Sequence, residues 1–592
     1  MQIRVASLLA AAAATAIGFS ANAQLINSGV VIERTSTPPG APNDFFPTFA
    51  FDNPTINNDG RILFTGILDN SGAGGATTAN RRCLFFGAPG SMQLLARDGQ
   101  TGAADTMGNP LNGPTLPNPN NWVHNTTTNG AGLVSGAVMT SNGTIFVSSS
   151  LNGTGATTTN NTAFWTGAAG SLSAVAQRGH ATLGLAPGTA GASFNSNMNL
   201  STSQQRVNRN GQVFFQSSLT GGDVSGTTNN DGLFLLSPTS RTLIARKGAQ
   251  APGFGDPDLK FGTTTSFGHA LNTFGDVGFV SPLLTGSGGV STANDSVVWS
   301  NTSGTLLPVA REGAATSIAG TNYGTSFSPI GQPMDRMRNY YFTNAITGAG
   351  VTAGVNDQVI FQYSGSTNSV SPLMRRGDAS FVPGATYSAF NNSNTKSMTD
   401  GSLLFCGGLN QDGVLITADN DSYIAIRKPD GSIRPVVREG GLAASFGSIG
   451  NLGSLPADTI ITGSTDLAAG SSAIANALGQ VVFQGSIAGT GITTNVDDRC
   501  IFAWDPNVGL ILVARTGSQM TSNTGVATSF SYYGTSNGDG TSYALSDTGW
   551  FTYRGADSFG NHVIFRTQII PAPATALVGL AGLVAVGRRR RR

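Results

Sequence analysis

One pattern limits what this chain can fold into. A polar residue, two spacers, a glycine, three more residues and an aromatic return along most of its length. The pattern reads Asn57…Gly60…Phe64, Asn208…Gly211…Phe215, Asn272…Gly275…Phe279 and Asn476…Gly479…Phe483, with looser copies at Met398…Gly401…Phe405 and Ser546…Gly549…Tyr553. Two copies are degenerate: Thr140…Gly143…Phe146 is one residue shorter, and Met334…Met337…Phe342 has lost its glycine. Asn and Gly tolerate the positive φ of a tight turn. The following residues then alternate, as in Val277 and Phe279 against Asp276 and Gly278, which is the period of a strand with one buried face. Each buried phenylalanine contributes roughly 1.5–3 kcal/mol, so repetition lays down one continuous core.

Two further blocks accompany the signature. A short apolar strand follows a loop rich in Gly, Thr and Asn, in eight copies: Leu84-Phe85-Phe86, Phe164-Trp165, Leu233-Phe234-Leu235, Val297-Val298-Trp299, Val359-Ile360-Phe361, Tyr423-Ile424-Ala425, Ile501-Phe502-Ala503 and Val563-Ile564-Phe565. A third block ends in Arg-x-Gly at Arg97, Arg246, Arg311, Arg375, Arg438 and Arg515, with Gln177-Arg178-Gly179 keeping the frame in unit 2. No such block follows Val563-Ile564-Phe565, but residues 28–36, followed by Pro39-Gly40, match it and precede the first signature. The chain therefore opens with a fourth strand and closes one strand short, with residues 30–34 supplying the missing piece. That offset predicts an all-β ring, a β-propeller of about eight blades in which the N-terminal strand completes the last blade and no edge is left open. The Arg-x-Gly glycines lie 63 to 80 residues apart, against roughly 40–50 for familiar blades, which implies long loops. The alternative is a string of small β-sandwich repeats, which would normally need more strands per unit and no circular offset. Short Ser/Thr/Ala-Phe elements (Thr48-Phe49, Ser193-Phe194, Ser266-Phe267, Ser326-Phe327, Ala389-Phe390, Ser445-Phe446, Ser529-Phe530) are the candidates for each unit's first strand. Extra length falls in unit 2 (residues 102–130) and unit 7 (residues 447–475), where function-specific surface is expected.

The ends read as sorting segments around a single repeat domain, residues 24–570. Residues 1–23 carry Arg4, an apolar stretch over 8–19 and Ala21-Asn22-Ala23, a signal peptide cleaved between Ala23 and Gln24. At the other end Pro571-Ala572-Pro573 precedes an apolar run over 574–587 and the cluster Arg588, Arg589, Arg590, Arg591 and Arg592. Fourteen helical residues reach roughly 21 Å, short of the roughly 30 Å hydrocarbon core, so the segment suits transient membrane contact with its arginines on the cytoplasmic side. Residues 571–592 resemble the PEP-CTERM class of sorting signals, with Ala572 where that class usually has Glu. The resemblance implies recognition by an exosortase-type sorting protease and an exported destination: cell surface, outer membrane or extracellular space after tail processing.

Across the body, the Asn-x-x-Gly-x-x-x-Phe strand, the Gly-Thr-Gly-Ile-Thr-Thr-Asn-Val-Asp run over 489–497 and Leu512-Val-Ala-Arg-Thr-Gly517 resemble the exported bacterial tandem-repeat family named for its NxxGxxAF motif. Leu63, Phe214, Gly278 and Val482 stand where the motif's Ala would be. The resemblance implies a surface setting and no established chemistry.

The residues themselves offer little catalysis. Four histidines (His124, His180, His269, His562) are far apart in sequence, and no zinc-binding spacing occurs. Asp59, Asp276, Asp400 and Asp547 follow the signature glycine's neighbourhood, as turn-forming residues do, whereas a catalytic carboxylate pair should break the repeat. Asn/Asp pairs before the second-block strand, containing Asp231, Asp295, Asp357, Asp421 and Asp497, are weak Ca²⁺ candidates beside their ordinary role in hairpins. No other cofactor is expected. The repeating arginines are expected to pair locally at strand ends. Cys83, Cys406 and Cys500 are an odd set, read as buried thiols. Setting aside Arg4 and the tail arginines, acidic side chains outnumber basic ones by about five, which excludes the basic stripe of a nucleic-acid partner. The expected function is a non-catalytic binding, adhesion or structural module for a surface or extracellular ligand, polysaccharide or protein. The alternative is an exported polysaccharide-active enzyme with its site in the long loops of units 2 and 7.

Overall fold

The computed structural model describes residues 25–569, apart from internal stretches of which the longer fall within 34–50, 70–80, 98–136, 154–160, 180–190, 196–205, 448–454, 463–472 and 535–541. The expected signal peptide with Ala23 and Gln24, the tail from Pro571 to Arg592, Arg34 and much of the two long loops lie outside the described residues. Among the described residues there are strands and one 3-10 turn, Ala443–Ser445, and no α-helix.

The strands form antiparallel ladders of one design. In unit 4, Phe267–Leu271, Val277–Pro282, Ser296–Ser300 and Leu307–Arg311 pair in sequence order. The same order recurs in eight ladders among the described residues. Those of units 5 and 6 are linked only by the parallel bridge Gln332↔Lys396. The eighth ladder takes its outer strand from the other end of the chain. Leu25–Glu33 pairs with His562–Ile569, joining Val30 to Phe565 and Leu25 to Ile569.

Both faces of each sheet are buried, and alternate residues serve opposite neighbours. Phe215 of unit 3 packs backward with Phe146 and Phe164 of unit 2, while Phe214 packs forward with Phe279 and Trp299 of unit 4. A core of this kind lies between each consecutive pair of units. The one between units 8 and 1 gathers Ile32, Ile564, Phe51, Phe64 and Phe85. Polar contacts close the same seam: Asp547 N–H donates to Asn58 Oδ1 (2.9 Å), and Arg554 and Arg566 donate to the carbonyls of Phe51 and Gly60 (2.6 and 2.7 Å). A string of sandwiches would keep its core within each repeat. Here every core is shared between repeats and the last is shared with the first, as in a β-propeller.

The forward face accounts for the positions that depart from the motif's Ala. Leu63 and Val482 sit in forward cores like Phe214. Gly278 is glycine for lack of room, since a Cβ there would lie 2.5 Å from the Tyr340 ring of unit 5.

Three readings of the sequence change. In unit 5 the turn is opened by Asp335, not Met334. Its Oδ1 accepts the N–H groups of Met337 and Asn339 (2.8 and 2.9 Å), and Arg338 takes the glycine position at φ 62°. That frame restores the spacing to Phe342. In unit 2 the aromatic has changed face rather than shortened the repeat: Val147 fills the backward position and Phe146 the forward one. Finally, Ser445-Phe446 ends the 3-10 turn, and the first strand of unit 7 consists of Ile460–Thr462 and Ile474–Ala475. Such splitting is common here. In unit 3, Ser193–Phe194 and Arg206–Val207 pair with opposite ends of Val213–Thr220.

Candidate functional site

The meander puts the signature turns at one end of the ring and the Asn/Asp and Arg-x-Gly loops at the other. At the turn end, the residue after each opening polar residue holds one repeat position: Asn58, Ser141, Arg209, Thr273, Arg336, Thr399, Ala477 and Asp547. Asp547 of unit 8 binds others of this set. Its Oδ2 accepts from Arg209 of unit 3, from Arg336 of unit 5 (3.2 Å) and from Ser141 of unit 2 (3.4 Å). Its Oδ1 is buried without a hydrogen-bond partner among the described residues. Partners from non-adjacent units can meet only near the axis, so this cluster lies near the axis at the turn end.

The sequence reading grouped Asp547 with Asp59, Asp276 and Asp400 as turn residues. The other placed carboxylates do serve turns. Asp276 accepts from Asn272 (2.8 Å) and pairs with Arg338 (3.1 Å), and Asp400 accepts the Ser402 N–H (3.0 Å). Asp547 differs by standing one residue after the opening position. Aligning the turns would have exposed a column with two arginines and one aspartate.

Two more cations lie in first strands, the half-buried Arg206 of unit 3 and the buried Lys396 of unit 6. Arg206 lies near Tyr543 and Tyr340 of units 8 and 5, and burial lowers its pKa. Lys396 Nζ donates to the carbonyls of Ala473 (2.7 Å) and Gly534, from units 7 and 8. Burial pushes its pKa down to about 8 and that of neighbouring Cys406 up to about 12.

At the loop end, five arginines make one repeated bond. Nε of Arg246, Arg311, Arg375, Arg438 and Arg515 donates to the backbone carbonyl of Asn229, Asn294, Asn356, Asn420 and Asp497 at 2.5–2.9 Å. The same Asn or Asp side chain closes its own loop, as when Asn356 Oδ1 takes the Thr352 N–H (2.7 Å). The Ca²⁺ candidates are divided among five units and have protein partners. Asp231 accepts from Gln216 (3.1 Å), Asp357 pairs with Arg376 (3.0 Å), Asp421 accepts from Gln411 (2.7 Å) and Asp497 pairs with Arg515 (2.7 Å). Asp295 lies beside Glu312. Among the described residues no three His, Cys, Asp or Glu side chains cluster as metal ligands would.

His269 packs against Phe214 (5.1 Å), and His562 accepts the Phe51 N–H (3.4 Å) at the closing seam. Cys83, Cys406 and Cys500 are buried and form no disulfide. The seam between units 7 and 8 also holds a cavity of about 220 Å³, walled by Leu512, Met520, Phe530, Tyr553 and Phe565. Sequence reasoning missed it, because it follows from a residue type absent from one loop.

These features define a class: a closed all-β ring of tandem four-stranded units, with ion pairs meeting near one end of its axis. The chain belongs to the family described as "Family of unknown function (DUF7453)", which matches residues 19–230, 120–339 and 339–576, overlapping as tandem repeats do. No curated protein matches. Among solved structures, the chain is similar to prolyl oligopeptidase B from Galerina marginata (9% identity, TM-score 0.32, 88% of this chain and 55% of that one). It thus spans about half the length of that protein. Polysaccharide lyase Uly1 matches at 8% identity and TM-score 0.32, over 74% of this chain and 91% of that one. A Trypanosoma rangeli sialidase matches at 11% identity and TM-score 0.24, over 96% of this chain and 63% of that one. No functional inference follows from similarities of this depth. No helix among the described residues is long and apolar enough to cross a membrane.

Proposed function

We propose that the chain is an exported surface or matrix protein, a non-catalytic binding or adhesion ring that presents its loop end to a polysaccharide or protein ligand. In this reading residues 1–23 direct export. The PEP-CTERM-like tail makes transient membrane contact and is processed by a sorting protease, and the body is an NxxGxxAF-type repeat array. The observation that carries the reading is the state of Asp547. Glycan hydrolysis uses two carboxyl groups facing one bond, whereas this axial carboxylate is engaged by Arg209, Arg336 and Ser141.

The test is to incubate the purified full chain with a panel of polysaccharides and follow both retention and chain length. Retention with unchanged chain length is expected. Cleavage that disappears in Asp547→Asn would overturn the proposal in favour of a polysaccharide-active enzyme. That second reading draws on one observation, the buried Asp547 Oδ1 that accepts no hydrogen bond among the described residues. Mass spectrometry of the exported protein tests the sorting claims, with loss of residues 1–23 and of the segment after Pro571 expected.

A further inference from the structure

At several seams the aromatic of the third strand is covered by a side chain from a neighbouring loop. Phe46 sits edge-on to Phe85 at the seam of units 8 and 1 (5.6 Å, 73°), and Phe254 edge-on to Trp299 at that of units 3 and 4 (5.7 Å, 89°). Phe381 covers Tyr423 between units 5 and 6 (5.2 Å, 83°). Phe446 packs on the core containing Phe502, and Ile318 on the core containing Phe361. Beneath these covers Phe85, Trp299, Tyr423, Phe502 and Phe361 are 0% exposed.

The seam of units 7 and 8 breaks the rule. The loop after Arg515 runs Thr-Gly-Ser-Gln-Met-Thr-Ser-Asn-Thr-Gly and contains no aromatic. Phe565, which occupies the position of Phe85 and Trp299, is only half-buried there and faces the cavity with Phe530. Phe551, Tyr553 and Phe565 stack in sequence (5.4 Å at 19°, then 5.0 Å at 17°), giving the cavity a flat aromatic wall. Met520 reaches in from the loop, and Arg515 at the rim is neutralised by Asp497 (2.7 Å). The space therefore combines an aromatic wall with polar surface from Ser518 and Gln519, carries no uncompensated charge from the Arg515–Asp497 pair, and is shaped for something planar.

We propose that the cavity between units 7 and 8 is a binding site for a small neutral aromatic molecule, held where other seams insert a phenylalanine of their own. An apolar cavity of about 150 Å³ accepts benzene, so about 220 Å³ has room for a phenol or an indole, whose O–H or N–H suits the polar part of the lining. The site stands on the packing of the ring and does not depend on the surface-module reading.

The test uses the full chain with 4-iodophenol and indole as probes, read by thermal shift and by the iodine signal in soaked crystals. A saturable rise in Tm is expected, because a ligand that binds only the folded state stabilises it, together with an iodine peak beside Phe565. Met520→Phe, which restores the missing cover, should raise Tm without ligand and weaken probe binding by about tenfold or more, a loss of about 1.4 kcal/mol or more. Ala527→Leu narrows the cavity from the opposite wall and should weaken binding too, which keeps the test decisive should Met520→Phe fold poorly. The absence of a saturable shift, undiminished binding in both variants, or an iodine peak elsewhere would overturn the proposal. Failure of the surface-module reading would appear in the polysaccharide assay and leave these results unchanged.

Discussion

Asparagine opens four of the turns in one way. Oδ1 of Asn57, Asn208, Asn272 and Asn476 takes the N–H groups two and four residues on, and Nδ2 of Asn208 and Asn476 reaches the opening carbonyl of the next unit's turn (2.9 Å). Asn208→Ala leaves these groups without their partner and should cost about 1–3 kcal/mol in urea unfolding. Asn208→Asp keeps the acceptor, as Asp335 does naturally in unit 5, and should cost less. Lys396 gives a second residue-scale expectation. Its folded pKa, about 8, lies below the ordinary lysine value of 10.5. Below pH 8 both states are charged and the lysine adds no slope. Between about pH 8 and 10.5 the unfolded chain holds a proton that the folded one has released, so stability rises with pH. The rise is worth roughly 3 kcal/mol at most. Cys406 and Cys500, both raised to about 12, oppose it above pH 9. The informative quantity is therefore the difference between the wild type and Lys396→Met across that window, and a difference independent of pH would refute the assignment.

The element that decides the architecture is the strand Leu25–Glu33. Removing residues 24–40 strips the partner from His562–Ile569. Amide exchange should then quicken in that strand before it changes in units 3 to 6, and an unchanged last sheet would defeat the closed-ring account. His562 lies in the same ladder. Burial and the nearby Arg554 push its pKa down to about 4. Between pH 6.5 and 4 the unfolded state therefore binds a proton that the folded state refuses, and stability falls as pH drops through that range. In His562→Asn this part of the acid limb should flatten in melting curves. At this scale much was legible in the sequence. A turn that needs Asn and Gly, followed by a two-sided buried strand, leaves a pattern in eight consecutive residues, and the one-strand offset between the ends was visible by counting. The first strands were harder to read, because pieces such as Ser193–Phe194 and Arg206–Val207 are too short to show a period. Unit 5 was misframed because a methionine stood beside an aspartate that does the work of asparagine.

At the scale of the molecule, the axial cluster was hidden because its members are 211 and 338 residues apart. Nothing local marks Asp547 as their meeting point. Replacing it by alanine leaves Arg209 and Arg336 facing the same space without their carboxylate. A loss of about 1–3 kcal/mol is expected, as when charge-assisted hydrogen bonds at a part-buried site lose their acceptor. Replacing all three residues by alanine should recover part of that loss in denaturant titrations, and strict additivity would mean that the three do not act together. The pairing of Leu25 with Ile569 has a mechanical consequence. The two ends of the body leave the same end of one antiparallel ladder. Tension applied between them would therefore load its hydrogen bonds one pair at a time, as an unzipping force rather than a shear. A pull between the two ends of the body meets only the first rung.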